Sequence, residues 1–139
     1  MSIYREKVID HYKNPRNFGK LDDPDVKVKE SNPLCGDDVE LYIKLNPNDG
    51  SVTDVKFSGR GCALSIAATS VLTEMISGKK LDELKRLNKK DIMKALELPD
   101  PGPARIECLL LPLKALKQGL AEYSSKNPFK RRSEGEAQR

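Results

Sequence analysis

The chain has 139 residues, of which 37% are hydrophobic and 33% charged, with no tryptophan and few aromatics. That length suits one domain with an aliphatic core and is too short for two. No apolar run approaches the roughly 20 residues that span a bilayer, and the charged start MSIYREKVIDHYK is unlike a signal peptide, so the expectation is a cytoplasmic protein that does not engage a membrane.

The net charge of +4 collects near one end. After residue 125, Lys126, Lys130, Arg131, Arg132 and Arg139 face only Glu134 and Glu136, which leaves residues 1–125 nearly neutral. Residues 126–139 therefore read as a basic, disordered tail following a folded domain over residues 1–125. Nucleic acid is not an expected partner, because no aromatic side chains alternate with basic ones on a strand.

Tyr4, Val8 and Tyr12, with Ile9 alongside, predict an amphipathic helix over residues 3–13 that Asn14-Pro15 terminates. His11, the sole histidine, is expected to face solvent beside Asp10 and Tyr12. A loop follows from Asn17 to Asp25, and Val26 and Val28 begin a first strand. Asn-Pro and Gly make Ser31 to Asp38 a second loop. Val39, Leu41, Ile43 and Leu45 then alternate with Glu40, Tyr42 and Lys44, as a strand with one buried face requires. After a turn at Asn46 to Gly50, a third strand runs from Val52 to Ser58. Such short connections favour antiparallel neighbours. The expected fold is α+β: a three-stranded antiparallel sheet with helices packed on one face.

The stretch from Val55 to Ile76 organises the rest. Gly59 and Gly61 bracket Arg60 at a sharp strand-to-helix turn, Cys62 follows, and Leu64, Ala67, Ala68, Val71, Leu72, Met75 and Ile76 recur at helical spacing. No charge enters before Glu74, so this helix is expected to be buried. Cys62 falls at its N-terminus, where unpaired N–H groups and the helix dipole favour a thiolate; a small buried core residue is the competing reading. Gly78 ends the helix. Leu81, Leu84 and Leu87 mark a short helix, and Asp91 to Leu98 another. Pro99-Asp100-Pro101-Gly102-Pro103 must be a connecting loop. Leu109, Leu113, Leu116, Leu120 and Tyr123 form the stripe of a last helix. Because proline is harmless only in a first turn, Pro112 predicts that this helix begins a few residues before it, with Cys108 at or just before the start.

Cys35, Cys62 and Cys108 thus each fall at the edge of an element. No pair has C-x-x-C spacing, and a structural disulfide is not expected in a cytosolic chain. If the fold brings them together, three thiolates make a soft site for zinc or iron–sulfur chemistry; otherwise they are unrelated buried or incidental cysteines. Asp37, two residues from Cys35 across Gly36, is the best-placed fourth ligand, with Glu107 and His11 as lesser candidates. A cysteine hydrolase would need a histidine paired to its thiol, and only His11 is available.

Four motifs together resemble the U-type iron–sulfur cluster assembly scaffolds, the IscU, SufU and NifU N-terminal domain proteins. They are Asp10-His11-Tyr12 with Asn14-Pro15-Arg16-Asn17, Asn32-Pro33-Leu34-Cys35-Gly36-Asp37, Gly61-Cys62-Ala63-Leu64-Ser65-Ile66-Ala67, and Ala104-Arg105-Ile106-Glu107-Cys108. The resemblance runs from about Tyr4 to Tyr123 and implies the SufE/NifU-like form of the fold expected above. It implies that Cys35, Cys62 and Cys108 accept sulfur from a partner cysteine desulfurase and, with Asp37 as the neighbouring carboxylate, bind iron and a nascent [2Fe–2S] cluster that passes to apo-proteins. A homodimer or higher oligomer in the cluster-bound form belongs to the same expectation.

Two departures mark this chain. IscU proteins carry a histidine immediately before the third cysteine, where Glu107 stands here, and a Leu-Pro-Pro-Val-Lys chaperone segment, where this chain reads Leu98-Pro99-Asp100-Pro101-Gly102-Pro103. The approach to Cys108 is similar to SufU, whereas the short interval from Cys62 to Cys108 is similar to IscU. The alternative to a scaffold is a zinc-dependent sulfur acceptor of the SufU kind, with Zn²⁺ on Cys35, Asp37, Cys62 and Cys108 in the resting form. A purely structural zinc domain is less attractive, since a chain of this length buries a core without metal.

Overall fold

The computed structural model describes residues 2–32, 36–98 and 102–126. Their elements are α1 (Ser2–Lys13), β1 (Val26–Asn32), β2 (Asp37–Leu45), β3 (Val52–Arg60), α2 (Ala63–Ile76), α3 (Leu81–Lys85), α4 (Lys89–Ala95) and α5 (Pro103–Lys126). The proposed tail lies almost wholly outside the described residues. No helix among them is long and apolar enough to cross a membrane.

The strands form one antiparallel sheet in the order β1-β2-β3. Strand alternation sends Val26 and Val28, then Val39, Leu41, Ile43 and Leu45, then Val55 and Phe57, into the core, with Leu41, Ile43 and Phe57 fully buried. α2 and α5 pack against the sheet and against each other, and α1 lies on α2. Ala67, Ala68, Leu72 and Ile76 from α2 meet Leu109, Leu116 and Leu120 from α5 in this one aliphatic core. α4 starts at Lys89, two residues before the predicted Asp91, because Asn88 caps it: the Asn88 side chain accepts from the N–H groups of Lys90 and Asp91, and the Asp91 carboxylate accepts the Asn88 N–H.

Three predicted boundaries that bear on the cysteines change. The loop expected from Ser31 to Asp38 is strand at both ends, because Ser31 pairs with Asp38 and Asn32 with Asp37, which leaves residues 33–36 between β1 and β2. β3 likewise continues to Arg60, opposite Asp38. Asp37 is therefore the first residue of a central strand rather than part of a long loop.

The last helix begins at Pro103, nine residues before Pro112, so that Pro112 lies inside it and Cys108 sits in its second turn. Pro103 suits a first helical position. Pro112 has no N–H to offer the carbonyl of Cys108 four residues earlier, at a cost of about 3 kcal/mol. Burying a leucine side chain contributes about 1.5–3 kcal/mol, and Leu109, Leu111, Leu113 and Leu116 are all buried around the proline. Tertiary packing outweighs the local penalty.

Candidate metal centre

Three elements converge at one end of the sheet: the first residue of β2, the residue after the β3 turn, and the second turn of α5. Gly36, at φ +71°, occupies the left-handed region that glycine adopts without strain, immediately before Asp37. Asp37 is almost completely buried. Its Oδ1 accepts the Cys62 N–H at 2.9 Å, and its Oδ2 lies 3.7 Å from Cys62 Sγ. A carboxylate from the sheet thus satisfies an N–H at the start of α2, which the helix itself cannot do.

Cys62 is the N-cap of α2 with extended backbone angles, and its side chain makes no capping bond. Its carbonyl accepts the first helical bond from the Ile66 N–H at 3.1 Å. The sulfur is left for other chemistry. Cys62 is exposed and Cys108 is buried, and neither forms a disulfide. One ligand atom each from Asp37, Cys62 and Cys108 lie within 4.8 Å of one another. Among the described residues no other trio of His, Cys, Asp and Glu side chains converges in this way. A tetrahedral zinc with Zn–S bonds of about 2.3 Å separates two sulfurs by about 3.8 Å, so small side-chain rotations suffice to close the trio on an ion. The donor set is soft sulfur with one hard oxygen, suited to zinc or to iron.

Gly61 has a packing reason that the turn motif did not reveal. A Cβ built there would stand 2.5 Å from Asp37 Oδ1 and 2.6 Å from Ser65 Oγ. The carboxylate and the hydroxyl close over the bare backbone, and any side chain at this position would push both away from Cys62. Ser65 is the other residue that sequence reasoning passed over. It is buried, with its O–H donated to the Cys62 carbonyl at 3.1 Å. A hydroxyl in the first turn of a helix that carries no charge before Glu74 was the available signal, because a buried group of this kind needs a partner.

The remaining candidates separate. Cys35 lies outside the described residues. Glu107 is half exposed and its carboxylate meets Lys114 Nζ at 2.9 Å, away from the trio. His11 corrects the expectation of a solvent-facing side chain, being only 6% exposed. Its Nδ1 lies 2.8 Å from Ser70 Oγ, which also accepts the Arg16 N–H at 2.8 Å, and its Nε2 lies 3.7 Å from Glu74. Burial, with Arg16 nearby, pushes the His11 pKa below its ordinary value, and Glu74 and Asp10 only partly offset this. Ser70 is eight residues beyond Cys62, about 12 Å along the helix, so His11 ties α1 to α2 rather than joining the centre. Arg16, in turn, pairs with Asp10 at 2.7 Å and holds its carboxyl below the usual range.

A small α+β domain that gathers thiols and a carboxylate at one end of its sheet has the donor set of a soft-metal-binding protein. The chain belongs to the NifU-like N-terminal domain family, whose model matches residues 3–130. It is 43% identical over 130 residues to the iron–sulfur cluster assembly scaffold protein IscU of Escherichia coli (strain K12), covering 91% of this chain and 98% of that protein. It is 41% identical over 133 residues to the iron–sulfur cluster assembly enzyme IscU of Drosophila melanogaster, covering 94% and 84%. Among solved structures it is similar to the N-terminal part of a nitrogen-fixing NifU-like protein from Brucella abortus, with a TM-score of 0.71, 27% identity, and coverage of 89% and 96%. The family read from the four motifs, and the sheet-and-helix fold it implied, are those of this chain.

Proposed function

We propose that this protein is an iron–sulfur cluster assembly scaffold that takes sulfur from a cysteine desulfurase, builds a [2Fe–2S] cluster as its cargo, and hands that cluster to apo-proteins. The observation that carries this reading is the convergence of Asp37, Cys62 and Cys108 within 4.8 Å. Membership of a family whose relatives include named cluster assembly scaffolds supports it.

In the sulfur step, a scaffold thiolate attacks the terminal sulfur of a persulfide on the desulfurase. A new S–S bond forms on the scaffold, the old one breaks, and the desulfurase cysteine leaves as a thiolate. Cys62 is suited to receive that sulfur because it is exposed on a helix start, whereas Cys108 backs the site from a buried position. Iron then joins, and a separate reductant must supply an electron pair to turn each transferred sulfur into sulfide. Cys35, Cys62, Cys108 and Asp37 are the proposed cluster ligands. A cage of three cysteines and one oxygen is weaker than the four-cysteine cage of a permanent electron carrier. Lability is what a donor of clusters requires. We place this activity in the cytoplasm, with a homodimer or higher oligomer as the cluster-bound form.

The same donor set fits zinc, so the second reading is a zinc-dependent sulfur acceptor. There Cys35, Asp37, Cys62 and Cys108 would hold the ion, which would keep thiols deprotonated and poised to attack the terminal sulfur of an incoming persulfide. The test is anaerobic incubation of the purified protein with iron, cysteine and a cysteine desulfurase, followed by an apo-ferredoxin, with zinc content measured beforehand. Iron–sulfur absorption bands that grow and then move to the ferredoxin are the expected result. Tightly held zinc, faster desulfurase turnover and no bands would overturn the scaffold in favour of the sulfur relay.

A further inference from the structure

We propose that Ser65 is a positioning residue for the Cys62 sulfur, whose hydroxyl turns from the Cys62 carbonyl to donate an O–H···S bond once that sulfur is a metal-bound thiolate. The proposal rests on the metal-centre reading above and adds to it a residue that does not itself bind the metal.

Ser65 is the third residue of α2, and a side chain at that position reaches back over the N-cap. In the usual reciprocal arrangement it would accept the N-cap N–H. Here Asp37 already takes the Cys62 N–H at 2.9 Å, so the Ser65 hydroxyl is released from that duty. It is buried, it donates to the Cys62 carbonyl at 3.1 Å, and its Oγ stands 3.7 Å from Cys62 Sγ. That carbonyl also accepts the Ile66 N–H at 3.1 Å. It therefore keeps a partner when the hydroxyl rotates away, and the switch leaves no buried acceptor unsatisfied. A metal-bound thiolate is a stronger acceptor than a thiol, and 3.7 Å is within reach of an O–H···S bond. Gly61 preserves the arrangement, since a Cβ there would meet Ser65 Oγ at 2.6 Å. Hydrogen bonds to ligating sulfurs withdraw electron density and set how firmly a metal or cluster is held.

The probe is Co²⁺ added alone to the full-length protein without other metal, with the thiolate-to-cobalt charge-transfer band and the affinity both recorded. Removing a hydrogen bond from sulfur raises its donor level, so Ser65→Ala should move the band to longer wavelength and weaken Co²⁺ binding about 10-fold. Ser65→Thr, which restores the hydroxyl, should return both toward the parent. Thermal melts of the metal-free variants guard against misfolding: a merely structural serine would lower the melt and leave the band in place. Identical band position and affinity in Ser65→Ala and parent would overturn the proposal, as would a Ser65→Thr protein that melts like the parent yet keeps the alanine spectrum. A parent protein with no thiolate-to-cobalt band would overturn the metal centre itself, and the role of Ser65 with it.

Discussion

Cys62 and Cys108 both stand near the start of a helix, yet the two helix starts are built differently. At α2 the chain turns out of β3, the cysteine is the exposed N-cap, and a carboxylate from a neighbouring strand takes its N–H. At α5 the helix has already run through one turn before Cys108, which is buried against the core. On the proposed function, the difference divides the labour of the site. An exposed sulfur can meet a partner protein, whereas a buried one can only receive what has already arrived. Asp37 links the two, being buried like Cys108 and hydrogen-bonded to Cys62.

Alkylation tests the contrast most directly. Iodoacetamide should modify Cys62 at least about 100-fold faster than Cys108 in the native metal-free protein, because the buried thiol reacts only through local opening. Peptide mass spectrometry over a time course reads both rates, and comparable rates would remove the distinction. Gly61→Ala comes next. Its methyl group displaces Asp37 and Ser65 from Cys62, so Co²⁺ or Zn²⁺ affinity should fall about 10- to 100-fold, as measured by competition with a chelator. Retention of parental affinity would mean that the carboxylate does not contribute to the site.

Asp37→Ala separates the two roles of that carboxylate. Loss of the acceptor leaves the Cys62 N–H unsatisfied at the edge of the core, and urea denaturation should register a destabilisation of about 1–3 kcal/mol. On the proposed function, a reconstituted cluster should nevertheless persist longer than in the parent, because Asp37 would be the weak oxygen ligand of the cage. Equal or faster cluster loss to a chelator would contradict that role.

The relative visibility of the two helix starts in the sequence follows from the same physics. The α2 junction is local: alternation in Val55 and Phe57, a Gly-Arg-Gly turn, and a change to helical spacing all lie within a few residues. The α5 start is not, because Pro112 signals a boundary that only the burial of leucines against the distant sheet overrides. Asp37 was legible as a ligand candidate from its spacing to Cys35, but its place at the head of β2 depends on pairing with Asn32. Gly61 and Ser65 were opaque for a similar reason, since their purpose is a contact with Asp37 and Cys62 that only the folded chain creates. His11 reads as a surface residue on a short helix until Ser70, in the middle of α2, supplies its partner.

That buried histidine gives α2 a pH response away from the cysteines. Burial lowers the His11 pKa in the folded protein from 6.5, so the unfolded chain binds the proton more readily. The neutral ring's contribution to stability is complete above about pH 6.5 and is lost as pH falls through the lowered folded value. The groups around it are Asp10 and Lys7 on α1, Arg16 after it, and Glu74 and Ser70 on α2. Urea midpoints should decline from pH 7.5 to pH 5.5, and His11→Gln should flatten that decline. An equally steep decline in the variant would assign it to the carboxylates instead.

The smallest effect is expected at Glu107, although it is the immediate neighbour of Cys108. Successive residues on a helix point about 100° apart, so adjacency in sequence does not bring a side chain to the same site. Glu107 turns to Lys114, seven residues and about two helical turns further on, in an ion pair whose members are half exposed. Exposed pairs of this kind contribute about 0–1 kcal/mol. Glu107→Ala should therefore leave Co²⁺ affinity unchanged within about twofold and shift stability by less than about 1 kcal/mol, a null result set against the losses at Gly61. An affinity loss comparable to that of Gly61→Ala would mean that Glu107 leaves Lys114 on metal binding and becomes a ligand. It would then stand in the histidine's place, and the buried side of the centre would supply two ligands from one turn of α5.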